Sequence, residues 1–136
     1  MTDEEIEKVN FLNRYVEAKI ECDRIGYVLE SYRELERSAR RMSMSMVSQK
    51  SRQDISDYIA KVETQEQELF RAYRAMEKGL AEVSAKIAEL KSREEKMILT
   101  ERFINGKTMN DIAWEYHYSR RNLYRLYNRA IRNLRI

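Results

Sequence analysis

Arginine and asparagine carry planar ends that can hydrogen-bond two atoms at once, and both crowd the end of this chain. Residues 120–136 contain six arginines and no acid. Within them Leu123, Leu126, Ala130 and Leu134 recur at helical spacing, which predicts a helix burying that stripe. The opposite side then presents Arg120, Arg121, Asn122, Arg125, Asn128, Arg129 and Arg132. A helix fits the major groove of a duplex and offers its first turns to base edges. There arginine pairs with guanine and asparagine with adenine, each good bidentate pair discriminating by about 1–3 kcal/mol. Arg120, Arg121, Asn122 and Arg125 stand where base reading would occur. Arg129, Arg132 and Arg135, further along, are expected at phosphates, as are Lys107 in the preceding turn, the cap Ser119 and Tyr124. Ser119 also leaves exposed N–H groups at the helix start that suit a phosphate.

Such a helix needs a scaffold that holds it from behind. Glu94–Ile104 reads as one helix, with Met97, Ile98, Phe103 and Ile104 inward. Asn105-Gly106 is a turn signal, because both residues tolerate a left-handed backbone. Thr108, with Asp111 three residues on, caps a second helix whose apolar face is Met109, Ile112, Ala113 and Tyr116. A break at His117-Tyr118 precedes the last helix, 119–134. Leu123, Leu126, Tyr127, Ala130, Ile131 and Leu134 form its inward stripe. Trp114 is expected as a partly buried strut. Three short helices with a tight turn before a basic last one describe a helix-turn-helix unit, 92–136.

The run "ILTERFINGKTMNDIAWEYHYSRRNLYRLYNRAIRNL" resembles region 4 of bacterial sigma factors. It is similar to the corresponding domain of phage late-gene activators of the ArpU/RinA-like group. The matching features are "INGKT" in the turn, Ile112-Ala113 in the helix after it, "YS" before the last helix and "RAIRNL" at the close. They cover 37 of 136 residues. The resemblance implies that the last helix docks in the major groove of promoter DNA, with base reading by Arg120, Arg121, Asn122 and Arg125. It implies a regulator of phage or prophage genes, and contact with RNA polymerase stays open. The tyrosine and arginine richness of "HYSRRNLYRL" departs from a typical sigma segment, so no target sequence is carried over. Nothing resembles the polymerase-binding or melting regions of a complete sigma factor.

Upstream, 1–91 reads as a dimerisation region of long helices. Thr2 and Glu5 have capping-box spacing. Ile6, Val9, Leu12, Val16 and Ile20 form one stripe. Ile25, Val28, Leu29, Tyr32, Leu35, Ala39 and Met42 form another, out of phase across Cys22–Gly26 as in a coiled-coil stutter. "RMSMSMVSQKS" predicts a loop at 42–51 because serines compete for backbone hydrogen bonds. Its methionines are alternatively an adaptable binding surface. A second helix restarts at Ser51. One heptad position holds Ile55, Val62, Leu69, Met76, Val83 and Leu90. The other holds Ile59, Glu66, Tyr73, Leu80 and Ile87. Its partner is either the first helix, folded back, or a second copy.

Bulk properties agree with an all-α protein. Proline is absent, glycine occurs three times, and charged residues make up 36%. Net charge is +3, yet residues 96–136 hold nine basic against three acidic residues, an asymmetry that points to a polyanion. The one cysteine, Cys22, excludes an intramolecular disulfide, and the one histidine, His117, has no metal-ligating company. No metal, cofactor or catalytic set is expected, nor a membrane span or signal peptide, and the expected location is the bacterial cytoplasm. Two rival readings are a small terminase subunit, which would assemble as a ring of eight or more, and a coiled-coil adaptor with a basic tail.

Overall fold

The computed structural model describes the backbone of residues 1–45 and 49–136, and the side chains of 1–42 and 52–136. Five helices follow in order: α1 (Asp3–Ser45), α2 (Gln49–Ala88), α3 (Arg93–Phe103), α4 (Met109–Glu115) and α5 (Arg120–Asn133). Among the described residues there is no strand, and no helix is long and apolar enough to cross a membrane. Helices α1 and α2 form a long antiparallel hairpin. They extend into the expected 42–51 loop from both sides, to Ser45 and from Gln49. Residues 46–48 and the methionine side chains of that stretch from 43 on lie outside the described residues.

Helix α1 starts as its capping box predicts. The Thr2 N–H donates to Glu5 Oε2 and the Glu5 N–H to Thr2 Oγ1, both at 3.2 Å. It continues unbroken through Cys22–Gly26. The buried line passes through Leu12, Cys22, Ile25 and Leu29, while Ile6, Ile20 and Leu35 are left in solvent. Cys22 therefore occupies the seam position that the out-of-phase stripes left vacant.

The hairpin corrects the middle of the second heptad position, while its ends hold: Ile59 is half-buried and Ile87 buried. Val62 and Val83 are buried and Leu69 and Met76 half-buried, but Glu66, Tyr73 and Leu80 are exposed. The second buried line of α2 runs one residue earlier, through half-buried Gln65 and Ala72 and buried Gly79. Small residues allow close backbone approach, and a Cβ on Gly79 would stand 3.3 Å from Tyr15 Cα and 3.4 Å from Tyr15 N. Backbone proximity thus outweighs the larger side chains one position later.

Two compact units divide the chain, Lys19–Arg74 and the pair Met1–Ala18 with Ala75–Ile136. The first is hairpin alone. It pairs Arg33 with Glu66 at 3.2 Å and sets Lys61 over the Tyr32 ring at 5.5 Å. In the second, one apolar core gathers Leu12 of α1, Val83 and Ile87 of α2, and Leu90. To these it adds Ile98, Leu99 and Phe103 of α3, Ile112 of α4, and Leu123, Leu126, Ala130, Ile131 and Leu134 from the last segment. The three short helices therefore share their core with the ends of both long ones. Burial at about 25 cal/mol per Å² of apolar surface makes this the main source of cohesion in the unit.

Candidate nucleic-acid interface

Each short helix begins on a side-chain cap. The Ser92, Thr108 and Ser119 hydroxyl oxygens accept the N–H of Glu95, Asp111 and Asn122 at 3.3, 3.1 and 3.2 Å. The turn before α4 places Gly106 at φ 70°, and the turn before α5 places His117 at φ 58°. A left-handed residue here redirects the chain across residues 116–119, between α4 and α5, closed by the Tyr118 N–H donating to the Ala113 carbonyl at 3.0 Å.

Behind α5, Leu123, Leu126, Ala130 and Ile131 are buried, and Tyr127 is half-buried with its ring 6.2 Å from that of Phe103. That burial pushes the Tyr127 hydroxyl pKa up. The inward stripe matches the one read from spacing. Leu99, unassigned in the sequence, joins the core beside Ile98. The C-terminal end of α5 is held by Lys8, a buried residue whose ammonium donates to the Arg132 carbonyl at 3.1 Å. A cation at that end complements the helix dipole.

The outward side sorts the expected site residues into two groups. Arg120, Arg121, Asn122, Tyr124 and Arg125 are exposed near the start of α5, and none of the three arginines meets an acid among the described residues. Arg132 is exposed as well, one residue from the end of α5. Arg129 and Lys107 are different. The Arg129 Nε donates to Glu95 Oε1 at 2.9 Å, with Glu94 3.9 Å from its guanidinium. Asn133 donates to the same Glu95 oxygen at 2.8 Å. Glu95 is buried, so Arg129 compensates an acid that would otherwise be costly to desolvate. The absence of acids after Glu115 concealed this, because the neutralising carboxylates arrive from α3. Lys107 lies 2.5 Å from Glu101 and 2.6 Å from Glu115. Its ammonium faces the buried Glu101 Oε2, while the Asn105 side-chain N–H donates to Glu101 Oε1 at 2.7 Å. The contact holds the Glu101 carboxyl below the usual carboxylate range against the opposing effect of burial, and Asn105 adds to it. Both acids hold the Lys107 ammonium above its ordinary value.

Arg135 follows Leu134, the C-cap of α5. It lines a cavity of about 440 Å³ with Lys86, Glu89, Lys91, Glu95 and Asn133, at the end of α5 away from Arg120. Trp114 is no strut. It is 85% exposed on the outer side of α4, because the core positions of that short helix are filled by Ile112 with Met109 and Ala113. Tyr116 is also exposed. Among the described residues, no group of three His, Cys, Asp or Glu side chains is placed to hold a metal ion. The chain matches no protein-family model, no curated protein and no solved structure.

Proposed function

We propose that this protein binds double-stranded DNA sequence-specifically and regulates transcription, reading the major groove with the first turns of α5. One observation carries the reading. Uncompensated positive charge collects at Arg120, Arg121 and Arg125, beside Asn122, while the neighbouring cations Lys107 and Arg129 are already neutralised. A solvated face would intersperse acids among those arginines. In this reading Tyr124, Ser119, Arg132 and Arg135 meet the phosphate backbone. Arg129 and Lys107 shape the unit, and touch phosphate only at its margin. The likeness of residues 98–134 to sigma region 4 and the ArpU/RinA-like activators supports phage or prophage genes as the setting. Two copies joined through the long helices would offer two recognition helices to paired half-sites.

The test is selection of bound fragments from a random duplex pool, followed by titrations at several salt concentrations. Arg121→Ala and Arg125→Ala are expected to relax sequence preference. Arg132→Ala should weaken binding to every sequence alike and lower the salt slope by about one. Equal loss on all sequences for all three variants would overturn the base-reading assignment. Indifference to duplex DNA at low ionic strength would overturn DNA binding itself.

A further inference from the structure

Cations from three parts of the chain converge where α2 ends, α3 begins and α5 runs out. The cavity of about 440 Å³ there brings Lys86, Lys91 and Arg135 together with Glu89, Glu95 and Asn133. Leu90 and Leu134, both buried, anchor the two stretches that carry Lys91 and Arg135. Leu134 is extended, at φ −69° and ψ 134°, so the chain leaves the helix before Arg135. The acids of the cavity are already engaged. Glu95 is buried and ion-paired to Arg129 at 2.9 Å, and Asn133 donates to it at 2.8 Å. Glu94, 3.9 Å from the same guanidinium, is exposed and does not line the cavity. Glu89 stands 3.7 Å from Lys86. Lys91 and Arg135 are exposed and make no ion pair among the described residues. The carbonyl end of α5 does not offset them, because Lys8 already meets it at the Arg132 carbonyl. Two cations thus stay uncompensated in one concave place, and the positive potential they raise draws an anion.

We infer that this cavity is a phosphate site. Its donors come from α2, from the turn after it and from the C-terminal tail, and so approach from different directions. Phosphate oxygens also point in several directions, whereas a carboxylate has two in one plane. Arg135 offers a planar fork to a pair of those oxygens, and Lys91 and Lys86 act as point charges. Two sources share this chemistry. A phosphorylated small molecule fits a cavity of this size, and its doubly charged monoester balances both free cations. A DNA strand brings single charges in succession, so one phosphate meets Arg135 while its neighbour meets Lys91. The second source rests on the DNA reading given above; the phosphate chemistry does not. The fourteen residues of α5 span about 20 Å, which sets the cavity well clear of the base-reading turn. Strand contact there would add the turn between α2 and α3 to the surface that grips the duplex.

Two titrations of the full chain test the site. In the first, inorganic phosphate replaces chloride at constant ionic strength, and amide resonances are followed by NMR. Saturable shifts confined to the stretches around Lys91, Glu95 and Asn133 mark binding at the cavity. Lys91→Ala and Arg135→Ala should each weaken it about tenfold, while Arg121→Ala leaves it unchanged. Both side chains are exposed, so circular dichroism should keep its helical signal. In the second, duplex DNA is titrated at several salt concentrations. If a strand supplies the phosphate, Lys91→Ala and Arg135→Ala each lower the salt slope by about one and keep the sequence preference. If a small molecule supplies it, both variants keep the full slope, and phosphate and duplex bind together. No localised response to phosphate, with full slopes in both variants, overturns the site and leaves the DNA reading intact. Phosphate bound at the cavity by a chain that ignores duplex DNA would sink the function above and leave the site standing.

Discussion

Two side chains of the basic segment have opposite roles although spacing makes them look alike. Arg125 is open to a ligand, whereas Arg129 sits on Glu95. Arg129→Ala should therefore lower the unfolding temperature, costing about 1–3 kcal/mol by leaving a buried carboxylate short of a partner. Arg125→Ala should leave thermal unfolding unchanged and act on DNA affinity alone. Glu101 supplies a pH dependence. Its carboxyl pKa is depressed in the folded state, so the stability it confers is fully present above the ordinary carboxylate pKa of about 4.3. That stability is lost as pH falls from there through the depressed folded value. Thermal melts should be flat around neutrality and fall below about pH 5, with a shallower acid limb in Glu101→Gln. Lys107, raised instead, contributes below its unfolded pKa and is lost only in strong alkali. His117 adopts φ 58° with a side chain that disfavours it. His117→Gly should stabilise by up to about 1 kcal/mol, and His117→Val should destabilise, as read by calorimetry.

The long helices show how far a heptad can be read. Gly79 and Gly26 are indistinguishable in sequence, both interrupting a helix-forming run. A Cβ at Gly26 meets nothing within 4 Å, whereas at Gly79 it meets the Tyr15 backbone. Gly26→Ala should stabilise by about 1 kcal/mol through helix propensity. Gly79→Leu should destabilise by more than that, since neither backbone can give way without opening the hairpin; comparing the two chemical melts checks the difference. Caps were legible because each is a local event, as at Thr2, Thr108 and Ser119. The inward stripe of α5 was legible for the same reason: 3.6-residue periodicity belongs to one helix. What escaped was set between helices. The choice of Ala72 and Gly79 over Tyr73 and Leu80 depends on how closely α1 approaches. The burial of Glu95 depends on an arginine 34 positions away. Trp114 went to solvent because α4 is only seven residues long, with room for one inward row.

At the scale of the molecule, α5 is not an appendage. Leu12 of α1, with Val83, Ile87 and Leu90, closes the same core as Leu123 and Ile131. Leu12→Ala should cost about 2–5 kcal/mol and weaken DNA binding without touching a contact residue, and a titration with matched unfolding curves separates the two effects. Trp114 is the sole tryptophan and reports on the other side of the unit. Its emission should resemble that of indole in water and should quench freely with acrylamide. Bound DNA should leave it unchanged if α5 alone enters the groove. The core around Leu12 has a further consequence for biosynthesis. Part of its cover, Val83, Ile87 and Leu90, is translated before the rest, Leu123 and Ile131 of α5, so on the ribosome the first turns of α1 stay partly uncovered until α5 emerges. Non-local closure of this kind slows folding relative to other helical proteins. The freshly released chain should therefore close this core only after a measurable lag.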